Sequence, residues 1–147
     1  MSYVTIEDAV ATVIRKVKGY SLANVSVGDN RRIAEGVEQA VILRRGGPST
    51  RRLLTLGDCW ETRWVVNVEL YIPVSDEIGT IRRTIDTEMQ KLLDEFDKWP
   101  FLDGTSGVNN AEAISVAEAE EYILGSRWWR QVITLQVDEL TEAVRAE

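Results

Sequence analysis

Residues 62–99 read TRWVVNVELYIPVSDEIGTIRRTIDTEMQKLLDEFDKW, and a change of period inside that stretch decides the fold. As far as Ile72 the apolar residues Trp64, Val66, Val68, Leu70 and Ile72 take every second position, with Arg63, Asn67 and Glu69 between them. Successive strand side chains point to opposite faces, so the alternation predicts a strand with one buried and one wet face. Pro73 has no N–H to give a ladder and is expected to end the strand. Ser75 then offers a hydroxyl to the open amides of a helix start, and Asp76 and Glu77 suit its positive end. Beyond it Ile78, Ile81, Ile85, Met89, Leu92, Leu93 and Phe96 recur at three- and four-residue steps, the stripe of an amphipathic helix. Arg82 with Asp86 and Asp94 with Lys98 stand four apart on the wet side, and Pro100 closes the helix.

The flanking sequence supplies partners for this strand and helix. Thr5 to Val17 predicts a first helix, with Thr5 as N-cap, Asp8 three residues on, and Ile6, Ala9, Val10, Val13, Ile14 and Val17 on one face. Residues 19–36 mix Ser, Asn, Asp and Gly with isolated apolar residues and read as an irregular connection with a short strand at Leu22 to Val27. Val37 to Arg45 predicts a strand, and Arg44-Arg45-Gly46-Gly47-Pro48-Ser49-Thr50-Arg51-Arg52 a loop. Leu53 to Glu61 returns toward the central strand, which makes a long antiparallel hairpin with the arginines at its tip.

After the central helix, residues 100–110 are turn-rich. Ala111 to Leu124 supports two readings, since its Ala and Glu favour helix while Glu112, Ile114 and Val116 alternate with small residues. Because the next segment needs an antiparallel partner, Glu112 to Val116 is read as strand and Glu118 to Gly125 as an irregular or helical turn. Arg127 to Val137 is a strand, and a frayed helical tail follows from Leu140. The order predicts one domain over residues 1–147, an α+β two-layer sandwich in which two helices pack on one face of a four-stranded, mainly antiparallel sheet.

Composition narrows the chemistry. The 147 residues are enough for a single core that buries roughly 70% of the unfolded chain's surface. Cys59 is the only cysteine, which excludes an intrachain disulfide and fits a small apolar residue beside Trp60 better than a nucleophile. Glu7 and Asp8 near the start, with no basic segment leading into an apolar run, argue against a secretory leader, and no segment approaches a membrane span. Residues 1–60 hold nine Lys or Arg against six Asp or Glu, and residues 61–147 hold eight against eighteen, for a net charge of −7. Nucleic-acid affinity comes largely from basic residues that displace counterions, so the acidic total argues against a dedicated DNA binder. Histidine is absent, which removes the commonest general base and metal ligand.

Two constellations stand out. Trp128 and Trp129 are neighbours on a strand, so only one of them can join the helix-covered core. The other needs a second cover: a subunit or partner interface shared with Arg130 and Val132, or a loop that half covers it. Aromatic residues with arginine favour the interface. Arg44, Arg45, Arg51 and Arg52 form a basic segment that either grips an acidic partner, including a copy of this acidic chain, or is simply solvated. It lacks the lysine and helix of a phosphate loop. Gly104-Thr105-Ser106-Gly107 follows a helix and precedes a strand, the wrong polarity for an anion site, and reads as a turn. Asp94, Glu95 and Asp97, like Glu118, Glu120 and Glu121, lack the ligand spacing of a cation loop and read as solvated faces.

Taken together, the helix, basic hairpin, capped central helix and late Arg-Trp-rich strand resemble the tail terminator and tail completion proteins of long-tailed bacteriophages. The resemblance implies a non-enzymatic virion protein, made in the host cytoplasm, without cofactor or metal. It would assemble as a homohexameric ring on the end of the tail tube, stop tube growth and meet the head connector or neck protein. DNA would pass through the lumen without specific binding, and no membrane would be involved. The tip Arg44 to Arg52 would reach a neighbouring tail or neck protein, with Trp128 and Arg130 as subunit contact. Some of Asp76, Glu77, Glu112, Glu118, Glu120 and Glu121 are then expected to line the bore and keep phosphate from lodging. The alternatives are a neck or head completion protein of the same virion, or a ferredoxin-like small-molecule-binding domain, which would need a convergent polar pocket.

Overall fold

The computed structural model describes residues 2–27, 33, 37–54, 59–74 and 78–142. In chain order the elements are α1 (Tyr3–Ile14), β1 (Val25–Ser26), β2 (Ala40–Arg45), β3 (Thr50–Leu54), β4 (Cys59–Pro73), α2 (Ile78–Lys98), β5 (Val108–Val116), β6 (Glu120–Leu124) and β7 (Ser126–Glu142). The expected four-stranded sheet is overturned. Seven strands form one mixed sheet in the order β1-β2-β4-β7-β5, with β3 also on β4 and β6 also on β7. Two helices and a sheet still make the fold α+β in the general sense.

The extra strands arise from interruption and addition. β2 and β3 both run antiparallel to β4 along its same side, Ala40 to Arg45 opposite Tyr71 to Val66 and Thr50 to Leu54 opposite Arg63 to Cys59. Residues 46–49 therefore face only residues 64 and 65, a break that carries two surplus residues within one course of chain. Gly46 makes the break possible: its N–H donates to the Val65 carbonyl at 2.8 Å, and a Cβ there would stand 2.7 Å from Val65 Cγ1 and Asn67 Oδ1. β5 and β6 repeat the device along β7, where residues 117–119 face 131 and 132 and the Ala117 N–H donates to Val132. Two long hairpins result, one closing between Leu54 and Cys59, the other at Gly125 with φ 74°. β1 adds a short parallel edge through Val25 and Ser26 opposite Val41 and Ile42.

The two long strands β4 and β7 lie side by side from Cys59 opposite Glu142 to Pro73 opposite Trp128. Pro73 does not end this ladder, because the next donor, the Val74 N–H, reaches the Arg127 carbonyl at 3.1 Å. Both helices cover the face that carries Val66, Val68, Leu70, Ile133, Leu135 and Val137. α2 buries Ile81, Ile85, Met89, Leu92 and Phe96, and each such side chain removed from water contributes roughly 1.5–3 kcal/mol. Asp94 accepts from Gln90 at 2.8 Å and Lys98 lies 3.6 Å from Glu95, so the expected Asp94 with Lys98 contact is replaced by these neighbours. Ser75, Asp76 and Glu77, expected at the helix start, lie outside the described residues.

Several boundaries move for local reasons. α1 starts at Tyr3 rather than after Thr5, because the Ser2 hydroxyl accepts the Thr5 N–H at 3.4 Å and takes the cap. The segment read as an irregular or helical turn is strand β6, since Arg130 and Trp128 opposite Glu120 and Tyr122 outweigh its helix propensity. No helical tail begins at Leu140: β7 continues to Glu142, and the Leu140 N–H donates to Gly107 at 2.8 Å. The turn after α2 carries Leu102 and Asp103 at positive φ (48° and 60°) and is tied to the end of α1 by Lys16, 3.0 Å from Asp103 and 4.7 Å over the Trp99 ring.

Candidate interaction surfaces

The face of the sheet away from the helices carries charge in an ordered form. On one level Arg52 Nε lies 3.0 Å from Glu61, and Arg63 Nε 3.1 Å from Asp138 and 3.9 Å from Glu61, so four side chains link β3, β4 and β7. On another level Arg44 Nε lies 3.1 Å from Glu69, Tyr71 donates to the same carboxylate at 2.8 Å, and Arg130 pairs with Glu120 at 2.7 Å. Glu61, Glu69 and Asp138 are buried although no helix covers them, with paired arginines at their carboxylates. Four arginines and four carboxylates make these levels self-compensating. Burial first, then Glu69, pushes the Tyr71 hydroxyl well above the ordinary tyrosine range, against a smaller opposing pull from Arg130.

The expected arginine tip does not exist as one. Each Arg pair lies on a strand, so its members part to opposite faces: Arg44 and Arg52 go to the charge levels, Arg45 and Arg51 to the helix side. Arg45 stacks 5.1 Å over Tyr3 and 5.6 Å over Trp64 and donates to Ser49 Oγ at 3.3 Å; Arg51 stacks 4.2 Å over Trp60. The turn residues between the pairs predict a reversal, whereas they are a break within a course whose partner strand never changes. An open groove beside them is lined by Ser49, Arg51, Thr62, Trp64, Glu139 and Thr141.

Trp128 is the tryptophan that faces away from the helices, and the chain itself supplies the cover that its position demands. It is 7% exposed, meets Tyr71 edge-on at 6.4 Å and 89°, donates through Nε1 to the Leu124 carbonyl at 3.2 Å, and shares a small second core with Ala40 and Ile42. Ile33, Val37, Tyr122 and Leu124 pack around it. Trp129 sits half-buried at the margin of the main core, Arg130 lies 4.2 Å over the Tyr122 ring, and Val132 is half-buried. A subunit contact is thus not what buries Trp128.

Among the acids expected in a bore, Glu120 is held by Arg130, and Glu121 by Arg127 at 2.6 Å, whose hydrogen bond keeps that carboxyl below its usual range. Glu112 and Glu118 are exposed and make no ion pair with a described residue. Asp76 and Glu77 lie outside the described residues. Among the described residues no three of His, Cys, Asp and Glu gather in a group able to hold a metal ion, and no helix is long and apolar enough to cross a membrane. Gly104 to Gly107 is a closed turn in which Thr105 donates to Phe101 and Leu102 carbonyls.

The residues that sequence reasoning missed are Glu61, Glu69 and Asp138. Their signal was faint: Glu61, Arg63 and Glu69 share one face of β4, but which arginine meets which acid depends on strand register. The sequence matches no family model, and no curated protein is significantly similar to it.

Proposed function

We propose that this chain is a structural ring subunit of the tail terminator kind, which assembles on the end of a phage tail tube and joins it to the neck. The observation that carries the reading is how the sheet ends. The course formed by β5 and β6 pairs only with β7 among the described residues, which leaves an open edge. Along that course Ile114 (50%), Val116 (43%) and Ile123 (75%) are exposed. A monomer gains nothing by exposing a row of large apolar side chains on an open edge, whereas a subunit that meets a neighbour there buries them. The bulges between Val108 and Asn110 and between Ala113 and Ser115 keep the edge from indiscriminate strand addition. In favour of the likeness to tail terminators, α1 precedes and α2 follows the strands β2 to β4 and both helices lie on one side of the sheet, although the sheet has seven strands and the basic tip is divided between two of them.

Native mass spectrometry and electron microscopy of the purified protein test the proposal. The expected particle is a closed ring of six copies of the 16.6 kDa chain that seats on one end of isolated tail tubes. A protein that remains monomeric at every concentration, with or without tubes, would overturn it.

A further inference from the structure

We infer that the free edge of β3 is a docking site for an extended acidic segment of a partner protein, which adds to the sheet as a further strand. The inference needs only the folded subunit and does not rest on the ring reading. Among the described residues β3 pairs with β4 alone, opposite residues 59–63. The outer side of β2 is taken by β1, but only at Val41 and Ile42, which lie opposite Leu70 and Glu69 at the far end of the course. β1 therefore leaves β3 uncovered. Alternate residues of a strand direct their N–H and C=O away from the paired neighbour, so β3 offers a row of open main-chain groups. Natural edges are blunted by bulges, prolines or charge. β5, at the opposite edge, has two register shifts, whereas β3 runs from Thr50 to Leu54 with no shift and no proline. What guards β3 is charge of one sign, which repels a second basic edge and admits an acidic one.

The side chains of β3 state what the added segment must carry. Arg51 and Arg52 are consecutive, so Arg51 stands on the helix side of the sheet and Arg52 on the other face, where Glu61 engages it at 3.0 Å. Arg51 is exposed and makes no ion pair with a described residue. The Trp60 ring, 4.2 Å from its guanidinium, holds that charge in place without neutralising it. On the same face Leu53 stands opposite Trp60 and is 50% exposed. In an added strand, the residue that meets Arg51 and the residue two places along that meets Leu53 share this face, while the one between them meets Arg52. The segment that fits is acidic opposite Arg51 and apolar opposite Leu53, with a second acidic residue between. Main-chain bonds to the edge supply affinity, and Arg51 with Leu53 the selectivity.

The probe is a fluorescein-labelled peptide of about ten Thr and Val residues with a central Glu-Glu-Val, titrated into the full-length protein and followed by anisotropy. Hydrogen exchange should slow at residues 50–54 as it binds and stay unchanged along β5. Lysines in place of the glutamates should abolish binding, and Arg51→Glu should weaken it by about tenfold. Circular dichroism confirms the fold of that variant; if it does not fold, Arg51→Gln takes its place. Two further peptides, methylated on one or the other alternate set of main-chain amides, should differ, because only one set faces the edge. No binding at millimolar peptide, equal binding of the lysine peptide, protection on β5 or β6 instead of β3, or methylated peptides that bind alike would overturn the strand addition. Protection of residues 50–54 that rises with the protein's own concentration, without peptide, would make the occupant a second copy and overturn the assignment to a partner.

Discussion

On the uncovered face of the sheet the Glu69 carboxylate accepts the Tyr71 hydroxyl at 2.8 Å through one oxygen and meets Arg44 Nε at 3.1 Å through the other. Glu69 is 3% exposed, so its charge is held by these two partners rather than by water. Removing one member of a buried pair leaves the other uncompensated, which is costlier than never having had the pair. Glu69→Ala should destabilise the chain by about 3 kcal/mol in urea unfolding, and Tyr71→Phe by about 1 kcal/mol. Equal small effects from both would show that the carboxylate is solvated.

The same contact predicts a response to alkali. Tyr71, and Tyr20 through its 2.8 Å bond to Glu88, ionise well above the ordinary value near 10, chiefly because both are buried and then because a carboxylate faces each hydroxyl. Between the unfolded and folded pKa the unfolded chain has lost protons that the folded chain retains, so stability is full below about pH 10 and falls as pH rises beyond it. Spectroscopic titration of tyrosinate should show two of the four tyrosines ionising only as the fold is lost. Four tyrosines titrating together while circular dichroism stays native would contradict this.

Trp128→Ala tests where the tryptophan's energy lies. Its ring fills a core within the chain, so truncation should cost about 3–5 kcal/mol of monomer stability. Urea unfolding under dissociating conditions measures it. A variant as stable as wild type yet unable to assemble would return Trp128 to the role expected from its sequence.

Gly46→Ala tests the break in the β2/β3 course. A methyl group placed 2.7 Å from Val65 and Asn67 side-chain atoms forces either to move, with an expected cost of about 1–3 kcal/mol. Thermal unfolding of this variant beside Gly104→Ala, where nothing lies within 4 Å, separates crowding from backbone strain. Gly104 has φ 72° and open space, so its loss measures backbone strain alone, whereas Gly46 has no such φ and its loss measures crowding; a Gly46→Ala variant as stable as wild type would show that Val65 and Asn67 give way freely.

Periodicity alone located the strand through Trp64 to Ile72, the helix stripe from Ile81 to Phe96 and the split between Trp128 and Trp129, because these depend on which face each side chain takes, and the face is fixed by spacing along the chain. Composition likewise showed that histidine chemistry and an intrachain disulfide are excluded. Register was beyond it. That Gly46-Gly47-Pro48-Ser49 is a break rather than a reversal, that Arg44 meets Glu69 and Arg63 meets Asp138, and that Tyr122 and Leu124 cover Trp128 are relations between residues distant in sequence. Turn residues signal that the chain bends, but not whether the strand after the bend finds a new partner or returns to the old one. That choice is made by how much apolar surface and how many charge pairs each alignment of β4 with its neighbours satisfies at once, which only the assembled sheet decides.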